Sequence, residues 1–372
     1  MKNKKIIKKI IPLILSAIFL SACNGGGSSS SPSPSPSPSP SPSPSPLPPG
    51  QVPNGLSVNY IVVDGAENVF AGTDSGYVYL SQSAVESWQL IDNERVPDGG
   101  NITSLIIQSD KDLYASTANG NVYRDQYGVQ SPWELVGQGS LPDNKGVNRI
   151  YISDTGKVIA GSFARNVYSS ESGTGAWTLV AAGPIPESGG LIYTMQGDST
   201  SDKLFIGTSN GLVYSSNNNG EQPWSVIPAG VLPNGGPCYA ISIDWVNFKL
   251  YAASSNGYVY YEDISDAQSK WVLAGGNLLP DRGDVTDLNR DVNGELFAST
   301  IYGDVYKLDS GTQTWIQIGN GALPITFMPS YATALSGKGR IYASSTAGYV
   351  FSTSIQAGES WVTVGIGKKI KK

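Results

Sequence analysis

The sequence of 372 residues contains no histidine and only two cysteines. Histidine is the commonest general base and the commonest metal ligand, so its absence excludes Ser-His-Asp and Cys-His catalysis. Cys23 belongs to the N-terminal export signal described below, which leaves Cys238 without an intramolecular disulfide partner. The fold must therefore rest on its packed core, and Cys238 is predicted to be a small buried apolar residue.

Charged residues are few and mostly acidic, with 24 Lys and Arg against 30 Asp and Glu. Removal of a signal peptide at residues 1–22 takes five lysines and no acid, which changes the net charge from −6 to −11. Nucleic-acid binding needs clustered Lys and Arg, so this function class is excluded. The remaining basic cluster is the tail at residues 368–372. We expect the tail to be solvated, with contact to anionic lipid as the alternative.

The first 22 residues have the organisation of a lipoprotein signal peptide. Several lysines precede the apolar run Ile10–Leu20, which is too short to cross a bilayer as a stable helix. The run ends in Leu20-Ser21-Ala22-Cys23, which resembles a bacterial lipobox. The resemblance implies cleavage before Cys23 and acylation of that cysteine, which would attach the chain to a membrane. An ordinary signal peptide with a coincidental cysteine is the alternative.

Residues 23–55 are predicted to form a linker. Within it, Ser31–Pro46 alternates serine and proline without interruption. Alternating proline cannot form a helix or a sheet ladder and favours extended polyproline II. At about 3.1 Å per residue the linker spans on the order of 90 Å. We therefore expect a semi-rigid stalk that holds a folded domain away from the membrane.

Residues 56–367 contain seven copies of a repeat spaced by 44 to 46 residues. Each copy carries a phrase such as GYVY or GNVY, followed by a tryptophan 10 to 12 residues later. A period this regular indicates a repeat architecture. The central valines of the phrase are Val78, Val122, Val167, Val213, Val259, Val305 and Val350.

Each copy contains four short β-branched segments separated by turn residues, which is typical of one propeller blade. The sequence therefore predicts an all-β, seven-bladed β-propeller of four-stranded blades. A proline-containing link such as LPDNK or LPNGG joins each copy to the next, and the last copy lacks this link. Because every copy is a whole blade, no strand is expected to be exchanged where the ring closes.

The turn between the third and fourth strands resembles the Asp-box of sialidase-type (BNR) propellers. Ser216–Gly220 followed by Trp224 matches the pattern best, and residues 169–177 and 354–361 are similar. The aspartate position holds Asn218, Glu171 and Gln356 in these copies, so the boxes are degenerate. The resemblance implies a propeller fold and no activity, because the box is a structural turn in that family. The phrase Gly303–Tyr306 with Trp315 downstream is also similar to repeats of outer-membrane assembly lipoproteins.

Departures from the repeat predict a ligand-binding face. The turns between second and third strands and the links between blades lie on the same face of a propeller. Arg165 replaces the glycine that six copies have in this turn, where a positive φ would strain it unless the turn is rebuilt. The turn of the sixth copy and the link after it contain unusual apolar residues. The candidate ligand-binding residues are Arg165, Phe163, Tyr302, Phe327 and Met328. Packing of Phe327 and Met328 into the blade seam is the alternative.

These observations predict a surface or outer-membrane lipoprotein of the cell envelope whose propeller is a binding or assembly module for a protein or glycan partner. No cofactor, metal site or catalytic residue is predicted. A sialidase-like, glycan-processing enzyme is the alternative, as is an envelope-assembly scaffold. The enzyme is disfavoured because Arg95-Val96-Pro97, which imitates a sialidase phrase, falls in the link where other copies have Leu-Pro or Ile-Pro.

Overall fold

The computed structural model describes residues 48–108, 112–127, 131–198, 201–324, 332–356 and 358–367. These residues belong to one unit, Leu47–Lys372. They form seven antiparallel sheets, each made of four strands that are consecutive in the chain. The predicted seven-bladed propeller is therefore confirmed, and no strand is exchanged between the first and last blades. We call each sheet a blade, and each segment between two blades a link.

The strands follow the repeat period. Blades 1 to 4 contain β1 (Val58–Val63), β2 (Val69–Thr73), β3 (Val78–Ser81), β4 (Gln89–Leu90); β5 (Ile102–Gln108), β6 (Asp112–Thr117), β7 (Val122–Gln126), β8 (Glu134–Leu135); β9 (Val147–Ile152), β10 (Val158–Ser162), β11 (Val167–Ser170), β12 (Thr178–Leu179); β13 (Ile192–Asp198), β14 (Lys203–Thr208), β15 (Val213–Ser216) and β16 (Ser225–Val226). Blades 5 to 7 contain β17 (Ala240–Asp244), β18 (Lys249–Ala253), β19 (Val259–Asp263), β20 (Val272–Leu273); β21 (Val285–Arg290), β22 (Leu296–Thr300), β23 (Val305–Asp309), β24 (Thr314–Gln317); β25 (Thr333–Leu335), β26 (Arg340–Ser344), β27 (Val350–Ser354) and β28 (Val362–Thr363).

The described helical segments are single 3₁₀ turns between strands. They span Pro53–Gly55, Gln82–Ala84, Ile91–Asn93, Val136–Gln138, Glu171–Gly173, Glu187–Gly189, Asn218–Gly220, Ser255–Gly257 and Ala274–Gly276. Within the described ranges, no helical segment has the length and apolar character that crossing a lipid bilayer requires.

The second strand of a blade lies between its neighbours and is the most deeply buried. β2, β10 and β22 are buried at every position. Small residues near the ends of these strands allow close approach of the next blade. A Cβ on Gly72 would lie 2.5 Å from Cγ2 of Ile102, and one on Gly207 would lie 2.5 Å from Sγ of Cys238. Cys238 is buried as predicted, and burial raises the pKa of its thiol.

The hydrophobic core is divided into seven clusters, each shared by two neighbouring blades. Between blades 2 and 3, for example, Val122 and Val136 pack against Val147 and Trp177. Burial of apolar surface between blades, rather than within one central core, therefore stabilises the fold.

Each tryptophan of the repeat packs on the end of the preceding blade. The indole N–H of Trp177 donates to the carbonyl of Gly139 at 3.0 Å, and that of Trp361 donates to Gly321 at 3.1 Å. The approach is so close that a Cβ on Gly137, which has a φ of +77°, would lie 2.1 Å from Nε1 of Trp177. Only glycine fits that position.

Blade 2 departs from this arrangement. The indole N–H of Trp133 is buried and has no hydrogen-bond partner among the described residues. The preceding blade ends in the turn Ile91–Asn93, where Asp92 and Asn93 adopt positive φ without being glycine. The altered turn and the unpaired indole therefore occur at the same blade contact.

The ring closes through residues that the sequence analysis assigned to the linker. In six blades, a link residue donates its N–H to the carbonyl at the turn glycine position, as Leu141 does to Gly120 at 2.8 Å. The seventh blade receives the same bond from Val52, whose N–H donates to Gly348 at 2.8 Å. Residues 52–55 are therefore the seventh link, and the folded unit begins before the predicted boundary at residue 56. The link is present at the start of the chain instead of after the last copy.

Two side chains reinforce this closure. Nε2 of Gln51 donates to the carbonyl of Ala347 at 2.8 Å, and the Trp88 indole donates to the carbonyl of Gly50 at 2.9 Å. Val52 has no exposed surface and belongs to the hydrophobic cluster between blades 7 and 1. The segment therefore contributes both hydrogen bonds and apolar contacts to the closure.

Replacement of Val52 by alanine should lower the free energy of unfolding by about 1–3 kcal/mol, because it removes buried methyl groups from the closing contact. The matched control is Val231→Ala, in the link before blade 5, where the valine is 52% exposed. The control should change stability by less than about 0.5 kcal/mol. Urea unfolding measures both. Equal effects of the two substitutions would show that residues 48–55 do not help to close the ring.

Candidate functional site

A central channel runs along the first strands of the blades. Its cavity of about 720 Å³ is lined by residues from the first strand of all seven blades. Polar side chains project from several of these strands, including Tyr60, Arg149, Gln196, Asp287 and Asn289. The volume is within the usual range of ligand-binding cavities.

Arg149 is held in the channel wall by neutral groups. Its Nη1 donates to the carbonyl of Thr103 at 3.0 Å and to that of Asn148 at 3.1 Å. Its Cζ lies 5.3 Å from the centre of the Tyr60 ring, within the range of a cation–π interaction. Three neighbouring blades therefore fix the position of this guanidinium.

Asp287 lies in the channel wall on blade 6 and joins it to blade 7. Its carboxylate accepts hydrogen bonds from the backbone N–H of Thr333 at 2.8 Å and from Nδ2 of Asn289 at 2.9 Å. Burial raises the pKa of Asp287, while the Thr333 hydrogen bond and the charge of Arg149 act in the opposite direction. The channel wall therefore holds the cation Arg149 and the shielded acid Asp287 on different blades.

The predicted ligand-binding residues that are described lie on turns of two blades. Phe163 and Arg165 are in the turn between β10 and β11, and Tyr302 is in the turn between β22 and β23. Hydrogen bonds join such turns to the links, so these elements share one side of the propeller, which we call the turn-and-link face. Blades 4 and 5 separate the two turns. Phe327 and Met328 lie outside the described residues, so their role stays a prediction.

The two aromatic rings lie against the preceding links. A Cβ on Gly146 would be 2.6 Å from Cδ2 of Phe163, and one on Gly283 would be 2.9 Å from Cδ2 of Tyr302. Tyr302 remains 59% exposed and Phe163 44% exposed. Each ring therefore covers a glycine and still presents apolar surface to solvent.

Of the two alternatives for Arg165, a strained residue or a rebuilt turn, the structure has the rebuilt turn, because the φ of Arg165 is not positive. In this turn the N–H of Ala164 donates to Oγ of Ser162 at 3.2 Å. The carbonyl of Arg165 still accepts the link hydrogen bond, from Ile185 at 2.7 Å. Its guanidinium lies 3.3 Å from the exposed carboxylate of Glu187, an ion pair of small energy.

Three residues missed by the sequence analysis extend the apolar part of this face. Leu191 is exposed in the link before blade 4. It lies beside the blade 3 turn, because its neighbour Ile192 donates its N–H to the carbonyl of Ala164 in that turn. Tyr193 follows it and stacks on Tyr239 of the next blade, with 5.8 Å between ring centres and 5° between planes. The sequence signal for Tyr193 and Tyr239 was a tyrosine at the repeat position where other blades have Asn59, Thr103 or Thr286.

The opposite face has a second cavity, of about 540 Å³, between blades 5 and 6. Val246 and Val292 at its edge are each 85% exposed. In the wall of this cavity, Nη2 of Arg290 forms an ion pair with Oδ2 of Asp244 at 2.7 Å. Trp245 packs on Phe205 of blade 4, with 6.1 Å between ring centres.

The arginines do not converge on one site. Arg149 and Arg290 line the channel, but Arg290 is paired with Asp244. Arg124 is paired with Asp112 at 2.9 Å. No triad of arginines is therefore assembled in the part of the chain that the structure describes. Among the same residues, no three acidic or cysteine side chains are grouped as metal ligands.

An acid pair fastens the link before blade 6. In blades 2 and 3, the link aspartate accepts a hydrogen bond from an asparagine, as Asp98 does from Asn121 at 2.6 Å. In blade 6 the asparagine position holds Asp304, whose carboxyl is hydrogen-bonded to Asp281. Burial and the charge of Asp281 raise the pKa of Asp304 to about 6. Below a pH of about 6, a proton on Asp304 takes the place of the amide hydrogen that this position supplies in blades 2 and 3.

Two further acids are buried at blade contacts. Burial and the neighbouring carboxyl of Asp92 raise the pKa of Asp125 to about 8. Burial raises the pKa of Glu262 to about 7, although the N–H of Ala229 donates to its carboxylate at 3.0 Å. Both occupy the position where blades 1, 3 and 4 have a serine. Because burial disfavours the carboxylate form, ionisation of Asp125 and Glu262 as the pH rises destabilises the contacts between blades.

No curated protein matches the chain. A family model described as the DUF6242 beta propeller domain matches residues 56–242, just over half of the sequence. Among solved structures, 1834 chains match, so the fold alone does not select a function.

Three solved structures illustrate the likeness. The extracellular domain of a putative one-component system from B. thetaiotaomicron has a TM-score of 0.62 and 16% identity over 81% of this chain, which spans 38% of that domain's length. YCF48 bound to D1 peptide has a TM-score of 0.64 and 14% identity, covering 82% of this chain and 95% of that one. A chain of the mitotic checkpoint complex has a TM-score of 0.65 and 11% identity, covering 82% and 94%. At these identities the likeness shows the fold.

Replacement of Asp304 by asparagine should stabilise the protein at pH 8 and have little effect at pH 4. Between an unfolded-state pKa near 3.9 and the folded value of about 6, the folded state binds more protons, so stability falls as pH rises through this window. The gain at pH 8 should be on the order of 2 kcal/mol. Urea unfolding at both pH values measures it, with the exposed Glu86→Gln as control. A gain that is equal at pH 4 and pH 8 contradicts the acid pair.

Proposed function

Because the chain belongs to the family of the DUF6242 beta propeller domain, we propose that its propeller is a binding module of the cell envelope, attached to a membrane through acylated Cys23. Its ligand is an extended segment of a partner protein, bound on the turn-and-link face. A glycan is the second class of partner, and the propeller of an envelope-assembly scaffold would use the same face.

The observation that carries this proposal is the run of apolar residues on one side of the ring. Phe163, Leu191, Tyr193 and Tyr239 come from blades 3 to 5 and their links, and Phe163 and Leu191 are large exposed hydrophobic residues. Apolar and aromatic side chains that stay exposed together usually mark an interaction surface. The stacked tyrosines are rigid, so a ligand would order few side chains on binding. Tyr239 also lines the polar channel, so apolar and polar contacts are available to one ligand.

Two of the similar structures support the choice of class and location. One is the extracellular domain of a bacterial protein, and another was solved with a peptide bound. An extracytoplasmic position also fits the lipobox-like sequence ending at Cys23. The sialidase-like alternative has no such support, since Arg124, Arg149 and Arg290 lie in three different environments and do not converge on one site.

The full-length protein, once immobilised, should capture a partner from envelope extract. The double variant Phe163→Ser, Leu191→Ser should reduce the amount captured by about tenfold or more, because a few exposed anchor residues carry most of the binding energy of an interface. The matched control is Val246→Ser, Val292→Ser, which removes two apolar groups of greater exposure from the opposite face. Retention of the partner by the first variant and its loss by the control would place binding on the opposite face and refute the proposal. Release of sugar from a sialyl glycoside would favour the enzyme.

Cys23→Ser should abolish incorporation of labelled fatty acid into the protein and release it from the membrane fraction, because the thiol is the acylation site. Cys238→Ser is the matched control and should retain the label, since this thiol is buried. Continued labelling of the Cys23→Ser protein would contradict lipid anchoring at this residue.

A further inference from the structure

Arg149 presents an unused edge of its guanidinium to the channel. Nη1 is occupied by the carbonyls of Thr103 and Asn148, whereas Nε and Nη2 donate no hydrogen bond to any described residue. Nε and Nη2 lie on the same edge of the planar group and can donate two parallel hydrogen bonds. Since Nη1 and the Tyr60 ring hold the group in place, this edge is preorganised.

The charge of Arg149 also lacks a direct counterion. Four other arginines have a carboxylate within 4.0 Å: Arg124, Arg165, Arg290 and Arg340. Arg95 and Arg282 are exposed to solvent. Arg149 is partly buried, and no carboxylate of a described residue lies within 4.0 Å of it. Asp287 interacts with this charge electrostatically without forming a direct ion pair, so the guanidinium can still pair directly with the anion of a ligand.

A second channel group lacks a partner. Oε1 of Gln196, on blade 4, is buried and accepts no hydrogen bond from the described residues. It lines the same cavity as Arg149. A buried acceptor without a donor is costly. The channel therefore offers a free donor edge for an anion, beside a Gln196 side-chain oxygen that is closed to solvent and accepts an N–H group only after the side chain turns toward the cavity.

We propose that the channel binds a carboxylate of a peptide ligand through the Nε–Nη2 edge of Arg149, while Gln196 accepts a hydrogen bond from an amide N–H of the same peptide. This inference rests on the proposed function and specifies its ligand. The carboxylate belongs to an acidic side chain or to the C-terminus of the peptide. A carboxylate is favoured over a dianionic phosphate because Asp287 also lines the channel and opposes additional negative charge.

The first test titrates sodium acetate into the full-length protein, against sodium chloride at equal ionic strength. The probe is the Nε–Hε resonance of Arg149 in ¹⁵N NMR, assigned by its loss in Arg149→Gln. Acetate should shift this resonance and raise the thermal midpoint, because a ligand that binds the folded state stabilises it. Arg149→Gln should abolish the rise in midpoint. Arg282→Gln, which removes the same charge from an exposed position in the link before blade 6, should retain it.

Arg149→Gln loses the contacts of the guanidinium with Thr103, Asn148 and the Tyr60 ring, so its own thermal midpoint without acetate is the baseline for its acetate response. Arg149→Lys keeps the charge and loses the planar edge, so acetate should bind about tenfold more weakly. An acetate response equal to that of chloride, or a response that survives in Arg149→Gln, overturns the proposal.

The second test distinguishes the two sources of the carboxylate by titration with synthetic peptides. An acetylated, amidated pentapeptide with one central glutamate is compared with its glutamine analogue and with an acetylated glutamine peptide that has a free C-terminus. Stronger binding of the glutamate peptide assigns the side chain, and stronger binding of the free C-terminus assigns the terminus. Equal binding of all three contradicts the inference. A captured partner that depends on Phe163 and Leu191 but not on Arg149 would leave the proposed function intact while refuting this inference.

Discussion

The packing of one blade against the next is the interaction on which the whole structure depends. No blade has a core of its own, since each of the seven hydrophobic clusters needs residues from two sheets. The tryptophan of one blade fills the space left by a glycine of the blade before it, as Trp177 does over Gly137. Stability in such a ring is a sum over neighbouring contacts, and the last contact is available only when the ring is closed.

This constraint separates positions that are fixed by packing from positions that are free to change. The second strands and the tryptophans repeat because they form the blade contacts. The turn residues and the channel side chains make few of these contacts, so they can differ from blade to blade. The unusual groups occur at such positions: Arg149 in the channel wall, the stacked Tyr193 and Tyr239, and Phe163 on its turn. Binding chemistry is therefore added to the ring with little effect on its stability.

The fold could be predicted from sequence because the period, the four short strands and the turn residues all repeat seven times. Each repeat is evidence for the same local structure, and errors in one copy are corrected by the others. The seventh link was not recognised in the sequence because Val52 is separated by 296 positions from Gly348, whose carbonyl accepts its N–H. Val52 also follows a proline-rich segment. The candidate site was only partly predictable. The sequence left open whether the Arg165 turn is strained or rebuilt, because the answer depends on hydrogen bonds within that turn, and the surroundings of Arg149 depend on contacts from three blades.

The position of the seventh link has a mechanical and a kinetic consequence. Residues 50–52 join the preceding chain to the propeller, so any pull on that chain acts first on their hydrogen bonds with Trp88, Ala347 and Gly348. The blades themselves are loaded only after these bonds break. During synthesis, residues 50–52 are made before any blade, whereas blade 7, which they contact, is the last blade to be made. Six blade contacts can form in turn, but the ring stays open until the whole chain is available, so an incomplete chain exposes two unpaired blade faces.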